Sequence, residues 1–145
     1  MSAAIGLDHG SRRIGLAVGS LETGQAFARP ALLRTSESAD LQSLAELARA
    51  EGATQVVVGL PRNMDGSEGA QAAAARAFGE KLLTLGLEVA YVDEQLTSWE
   101  AGERLESEGR RPDRRSGERD SAAARLILQE YLDARATRHP PQETA

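Results

Sequence analysis

Gln55-Val56-Val57-Val58-Gly59-Leu60 is the stretch on which the fold turns. It is a continuous β-branched run without polar alternation, which is the pattern of a strand buried on both faces in a parallel arrangement, so it should be the central strand of the sheet. Downstream, Pro61-Arg62-Asn63-Met64-Asp65-Gly66 breaks the run. Ser67 is placed to cap a helix with Glu68 in its first turn, and an alanine-rich, helix-favouring stretch follows to about Leu85. After Gly86, Leu87 to Val92 predicts another strand. Upstream, Leu41, Leu44, Leu47 and Ala48 recur at helical spacing within Asp40 to Ala50, and Gly52 is the stop signal. Ala4 to Asp8 and Ile14 to Gly19 are apolar runs joined by His9-Gly10-Ser11-Arg12-Arg13, the length of a hairpin connection, and predict two antiparallel strands. Ala26 to Leu33 is a third, with Pro30 marking an edge or an irregularity because proline cannot donate to a ladder. Thr97 and Glu100 have capping-box spacing and open a helix to about Glu106. A polar loop from Ser107 to Ser116 and a final helix from Gly117 to Ala134 complete the pattern. The sum is one α/β domain over residues 1–135, with three antiparallel strands followed by two parallel ones and helices flanking the sheet. Residues 136–145 read as a tail.

The composition narrows the chemistry. The chain has 145 residues and no cysteine, which excludes disulfides, thiolate metal sites and a cysteine nucleophile and makes cytoplasm the default location. Asp8 interrupts the N-terminus before an apolar stretch develops, so no signal peptide is expected, and no run approaches the roughly 18 apolar residues of a membrane span. Seventeen basic residues against 22 acidic ones give a net charge of -5, which argues against a surface coated in positive charge. The basic residues are concentrated, however. Lys81 is the only lysine, while Arg110, Arg111, Arg114 and Arg115 crowd one segment with Arg119 just beyond. Aromatic residues make up only 3 %, which disfavours binding of bases mainly by ring stacking and leaves backbone contacts dominant.

Ligand sites in sheets of this kind lie outside the carboxyl ends of the parallel strands. Asp8 ends the first strand, Asp93 and Glu94 end the last, and Asp120 lies in the first turn of the final helix above an apolar stripe of Ala123, Ala124 and Ile127. Carboxylates gathered at one edge repel one another unless a divalent cation compensates, and oxygen donors select Mg²⁺ or Mn²⁺. Two such ions about 4 Å apart can activate water on one side of a phosphodiester and stabilise the leaving oxygen on the other, with no histidine base. The competing reading makes Asp8 a hairpin residue, Asp93 and Glu94 loop acids, and Asp120 a helix-dipole partner. Strand alternation gives Asp93 and Glu94 opposite faces without saying which one belongs to the cluster.

Several motifs occur in a telling order: Gly6-Leu7-Asp8-His9-Gly10 with Arg13-Ile14-Gly15-Leu16-Ala17, Gly59-Leu60-Pro61 with Asp65-Gly66-Ser67, Asp93-Glu94-Gln95-Leu96-Thr97-Ser98, and Asp120-Ser121-Ala122-Ala123-Ala124 leading to Ile127-Leu128. Together they resemble the YqgF/RuvX family of pre-16S rRNA nucleases, also described as Holliday junction resolvase-like. The resemblance implies an RNase H-like fold and a bacterial, cytoplasmic, metal-dependent nuclease of ribosomal RNA maturation. It places the acidic triad on Asp8, Glu94 and Asp120, as catalytic residues and metal ligands. Two positions depart from the family pattern: Gln95 stands where arginine is usual, and Glu118-Arg119 where a lysine is usual, a charge that Arg119 can supply.

Candidate nucleic-acid contacts are Arg12 and Arg13 in the hairpin turn, Arg62 and Asn63 at the carboxyl end of the central strand, and the arginines at 110, 111, 114, 115 and 119. His9 is read as a bystander and Trp99 as a packing residue. The expected partner is nucleic acid, RNA ahead of DNA, carried in a pre-ribosomal particle, with the protein a monomer or homodimer. The competing functions are a DNA junction endonuclease, which needs a symmetric dimer for paired cuts, and a non-catalytic ribosome-assembly factor. An actin-like nucleotide-binding enzyme would need a second domain that 145 residues do not supply.

Overall fold

In the computed structural model, which describes residues 2–94 and 118–138, the valine run is an interior strand with Val56, Val57 and Val58 wholly buried. The strands are β1 (Ala3–His9), β2 (Arg13–Ser20), β3 (Ala26–Leu33), β4 (Ala53–Leu60) and β5 (Glu88–Asp93). The helices among the described residues are α1 (Glu37–Glu51), α2 (Ala70–Leu83) and α3 (Glu118–Arg138). The sheet runs β3-β2-β1-β4-β5, so the middle position expected for the valine run belongs to β1, and β4 lies beside it, still covered by a strand on each side. β1 pairs antiparallel with β2 and parallel with β4, β2 pairs antiparallel with β3, and β4 pairs parallel with β5. This is the expected three-plus-two mixed sheet. Pro30 meets both of its predictions, since β3 is an edge strand and its register with β2 shifts between Ile14 and Leu16, opposite the proline.

The two faces of the sheet are built differently. On one, Leu44 and Ala48 of α1 and Ala75, Phe78 and Leu82 of α2 pack on Ile5, Leu7, Ile14, Leu16, Val18, Val56, Val58 and Leu60, and each large apolar side chain buried there contributes about 1.5–3 kcal/mol. On the other, Ala124, Ile127, Leu128 and Leu132 of α3 rest on Ala4, Ala17, Ala26 and Val57. Glycine and alanine on this second face let α3 come very near the backbone. A Cβ at Gly6 would stand 2.6 Å from the Ala124 carbonyl oxygen, and one at Gly15 would collide with the Asp120 carbonyl. Gln129 fastens the helix further, accepting from the Ala26 N–H (3.0 Å) and donating to the Gly24 carbonyl (2.7 Å).

Two helix starts differ from expectation. α1 begins at Glu37, earlier than Asp40, because Ser36 is the cap and its hydroxyl accepts from the Ala39 N–H (3.2 Å). Asp40 is instead buried, taking the Arg34 Nε–H and the Thr35 N–H (both 3.2 Å). Ser67 does not cap α2, whose N-cap is Gly69 without a side-chain bond. Ser67 is held in the preceding turn, where its N–H and hydroxyl donate to the Asp65 carboxylate (2.9 and 2.6 Å). Gly52 ends α1 as predicted, in the left-handed conformation at φ 67°. The last helix runs on to Arg138, past the expected end at Ala134, so residues 136–138 of the expected tail are helical; the predicted helix from Thr97, the loop from Ser107 to Ser116 and the rest of the tail lie outside the described residues. No described helix is long and apolar enough to cross a membrane.

Candidate active site

Asp8 is the next-to-last residue of β1 and pairs with Gly15 of β2, the glycine over which the Asp120 carbonyl lies. Even-numbered positions of β1 face α3, so the Asp8 side chain points to the same side as the start of that helix. Glu94 is the first residue beyond β5, and its N–H donates to the Leu60 carbonyl (3.0 Å), which extends the β4–β5 ladder by one rung. Asp8 is 9 % exposed and Glu94 8 % exposed. Asp120 is half-buried in the first turn of α3.

The choice between Asp93 and Glu94 is visible here. The Asp93 side chain turns outward and accepts from Arg62 (2.8 Å), whereas the Glu94 carboxyl turns inward and donates to Asp8. Burial pushes Asp8 up from 3.8 to about 6, the hydrogen bond from Glu94 opposes that shift, and the Asp120 charge adds to it. Burial pushes Glu94 up to about 9, reinforced by the Asp8 charge and by the bond it donates. Near neutral pH the pair therefore shares one proton. Glu94 Oε2 is buried without a hydrogen-bond partner among the described residues, and it lies 2.8 Å from the point a Cβ on Gly59 would occupy. Gly59 is thus the residue that makes room for Glu94, and a glycine inside an otherwise β-branched run is the sequence signal for such a close approach.

Two buried carboxyls bound through a proton, one with an orphaned oxygen, and a third acid near enough to act on Asp8 electrostatically, form a donor set suited to a hard cation. As placed, no three acids or histidines among the described residues form a group that could hold a metal ion. The closed part of the site is the Asp8–Glu94 pair. Its requirement for compensating charge is what the orphaned oxygen and both raised pKa values express.

The other predicted residues distribute unevenly. Arg12 is exposed in the β1–β2 turn, and Arg13 begins β2 half-buried. Arg62 is committed to carboxylates, with Asp93 at 2.8 Å and Glu68 at 3.1 Å. Asn63 donates to the Ser67 hydroxyl (3.0 Å). Arg110, Arg111, Arg114 and Arg115 lie outside the described residues, as do Gln95, Trp99 and the Arg119 side chain. His9 points away from Asp8 and packs on the Phe78 ring, centroids 4.9 Å apart. One contributor carries no sequence signal. Arg34 donates from its backbone to the Arg12 carbonyl (2.9 Å) and from its guanidinium to the Gly10 carbonyl (3.1 Å), which ties down the turn just after Asp8.

The fold is RNase H-like. It superposes on RuvC of Thermus thermophilus with a TM-score of 0.59, at 15 % identity over 93 % of this chain and 96 % of that one. The large terminase nuclease of the thermophilic phage G20c gives a TM-score of 0.53, at 15 % identity over 89 % and 81 % of the two chains. The chain belongs to the RuvX family, described as Holliday junction resolvase, which matches residues 2–134. Relatives carrying the name "Putative pre-16S rRNA nuclease" include proteins of Opitutus terrae (46 % identical, covering 90 % of this chain and 91 % of the relative) and of Anaeromyxobacter sp. strain K (44 %, covering 91 % and 97 %). A third, from Synechococcus elongatus, is 41 % identical over 90 % of this chain and 89 % of its own.

Proposed function

We propose that this protein hydrolyses phosphodiester bonds of nucleic acid with the help of Mg²⁺ or Mn²⁺, in the two-metal manner, and that its substrate is precursor 16S rRNA in the cytoplasm. The observation that carries the reading is the buried Asp8–Glu94 pair, with its shared proton and its unpartnered Glu94 Oε2, at the sheet edge where α3 brings in Asp120. The relatives' names supply the substrate.

Asp8, Glu94 and Asp120 are the residues that would hold the cation. Bound there, it supplies Lewis acidity toward a phosphodiester oxygen and toward the attacking water. The chain's own residues do the rest. Glu94 would have to release the proton it shares with Asp8 for a cation to be held there, so loading would strengthen as pH rises. Gly59 and the Glu94 N–H bond to Leu60 fix where that carboxyl stands. Arg34 holds the turn that follows Asp8 and carries Arg12.

The test is cleavage of a pre-16S rRNA fragment, single-stranded RNA, duplex DNA and a four-way DNA junction, each with Mg²⁺, Mn²⁺ or chelator. We expect metal-dependent cutting of the rRNA precursor, abolished by Asp8→Asn. Preference for the junction would transfer the substrate to DNA, and absence of cutting on every substrate would leave a binding protein.

A further inference from the structure

The turn between β4 and α2 carries at its tip a methionine that stands clear of the described residues: Met64 is 99 % exposed. A lone apolar side chain at a surface is ordinary, but the turn beneath this one is closely fastened. The Asn63 N–H donates to the Ser67 carbonyl and the Gly66 N–H to the Asn63 carbonyl (both 2.8 Å), while the Asp65 carboxylate takes both Ser67 donors. Gly66 supplies the positive φ (86°) that lets the chain reverse. The base of the turn is tied to the site, because Arg62 binds Asp93, the neighbour of Glu94, and Leu60 accepts the Glu94 N–H.

The charges of this turn are unsuited to a phosphate. Arg62 is occupied by Asp93 and Glu68, and Glu68 is shared with Arg76 (2.6 Å). Asp65 is held ionised by its bonds from Ser67, so the residue next to the tip repels a phosphate chain. What the turn offers outward is a thioether on a fixed support, and the chemical class it fits is the apolar face of a nucleobase. Methionine is among the side chains that proteins press against or between bases.

We propose that Met64 is a base-contacting residue that favours substrates with an unpaired or unstacked base beside the bond to be cut. The inference rests on the nucleic-acid reading above. It assigns the turn to base contact, with backbone contacts left to the arginines elsewhere.

The experiment compares the wild type with Met64→Ala, Met64→Gln and Met64→Leu on a hairpin bearing one bulged base and on the same hairpin fully paired. RNA and DNA versions of both are used, with Mn²⁺ and across a salt series. Met64 is almost fully exposed, so every variant should keep the wild-type melting temperature. We expect Met64→Ala and Met64→Gln to bind and cut the bulged hairpin about tenfold less well, Met64→Leu to match the wild type, and the paired hairpin to be indifferent. The salt slope should stay unchanged, because the number of neutralised phosphates is the same in every variant. An effect in either sugar series supports the inference. Equal behaviour of Met64→Ala and wild type on both bulged hairpins, a loss shared by the paired ones, or a changed salt slope overturns it. If the wild type neither binds nor cuts any nucleic acid, the functional reading falls as well; if it cuts and Asp8→Asn does not, an indifferent Met64 removes this inference alone.

Discussion

Replacing Asp8 by asparagine exchanges a buried carboxylate for a neutral amide of nearly the same size, beside a Glu94 carboxyl that can accept from that amide as readily as it now donates to Asp8. Both acids have pKa values raised in the folded chain, Asp8 from 3.8 to about 6 and Glu94 to about 9. The fold therefore favours their neutral forms. The associated stability is complete below about pH 4 and is lost as pH rises, first through 6 and then through 9. Each pH unit of elevation corresponds to about 1.4 kcal/mol, so ionised Asp8 destabilises the metal-free fold by about 3 kcal/mol at pH 8. Asp8→Asn removes that term. We expect the metal-free variant to melt roughly 8 °C above the wild type at pH 8, at about 2–4 °C per kcal/mol for a chain of this size, and to equal it near pH 4. Mn²⁺ at about a hundred times its dissociation constant should add about 2.7 kcal/mol to the wild type and little to the variant, closing the gap from the other side. Scanning calorimetry at pH 4 and 8, with Mn²⁺ or chelator, reads all four corners, and a cleavage assay should show activity abolished. A variant that melts below the wild type at pH 8, or keeps its Mn²⁺ stabilisation, would refute the argument that this pair stores unfavourable charge for a cation.

Gly59→Ala drives a methyl group into Ile127 and to 2.8 Å from Glu94 Oε2. It should destabilise the fold by about 1–3 kcal/mol and also weaken Mn²⁺ stabilisation, both readable by urea unfolding with and without metal. Asp40→Ala removes one of the two partners of the Arg34 guanidinium and leaves the Thr35 N–H unpaired, at a site only 1 % exposed, and should lower stability by about 1–3 kcal/mol in the same assay, with the Mn²⁺ increment retained. Changing Arg110, Arg111, Arg114 and Arg115 together to alanine should weaken RNA binding at low salt and reduce the slope of log K against log salt by about 0.7 for each phosphate no longer neutralised. Unchanged affinity across the salt series would remove that segment from the binding surface.

Much of the fold is legible in local pattern. The valine run, the hairpin length between β1 and β2, Pro30 and Gly52 each act within a few residues of themselves, and each element they predict is present. Where expectation and structure part, the cause is a partner that local pattern does not weigh. Ser67 looks like a cap because serine before an alanine-rich run usually is one, but Asp65 and Asn63 claim it first. Alternation says that Asp93 and Glu94 face opposite ways; only Arg62 on one side and Asp8 on the other decide which acid faces in. Arg34 carries no signal at all, since its role depends on the Gly10 and Arg12 carbonyls across a turn that closes only in the folded chain.

The small-residue face of the sheet and the acidic site are one construction. Asp120 can influence Asp8 only because α3 lies almost on the backbone of β1 and β2, and that approach needs Gly6 and Gly15, where a methyl group would strike α3. Glycine in a strand interior gives up packing and entropy, so this face is the weaker contributor to stability, and the large aliphatic side chains of the α1 and α2 face compensate. The same division bears on the net charge of -5. Two acids of the site are withdrawn from the surface as a pair that shares one proton, and Arg62 and Arg76 are neutralised around Glu68 and Asp93. On the proposed function, positive charge for a nucleic-acid backbone would come from the Arg12–Arg13 turn, from the arginines between 110 and 119, and from the cation. Affinity for nucleic acid should accordingly rise with Mn²⁺ in the wild type and remain flat in Asp8→Asn, a contrast that a uniformly basic protein would not show.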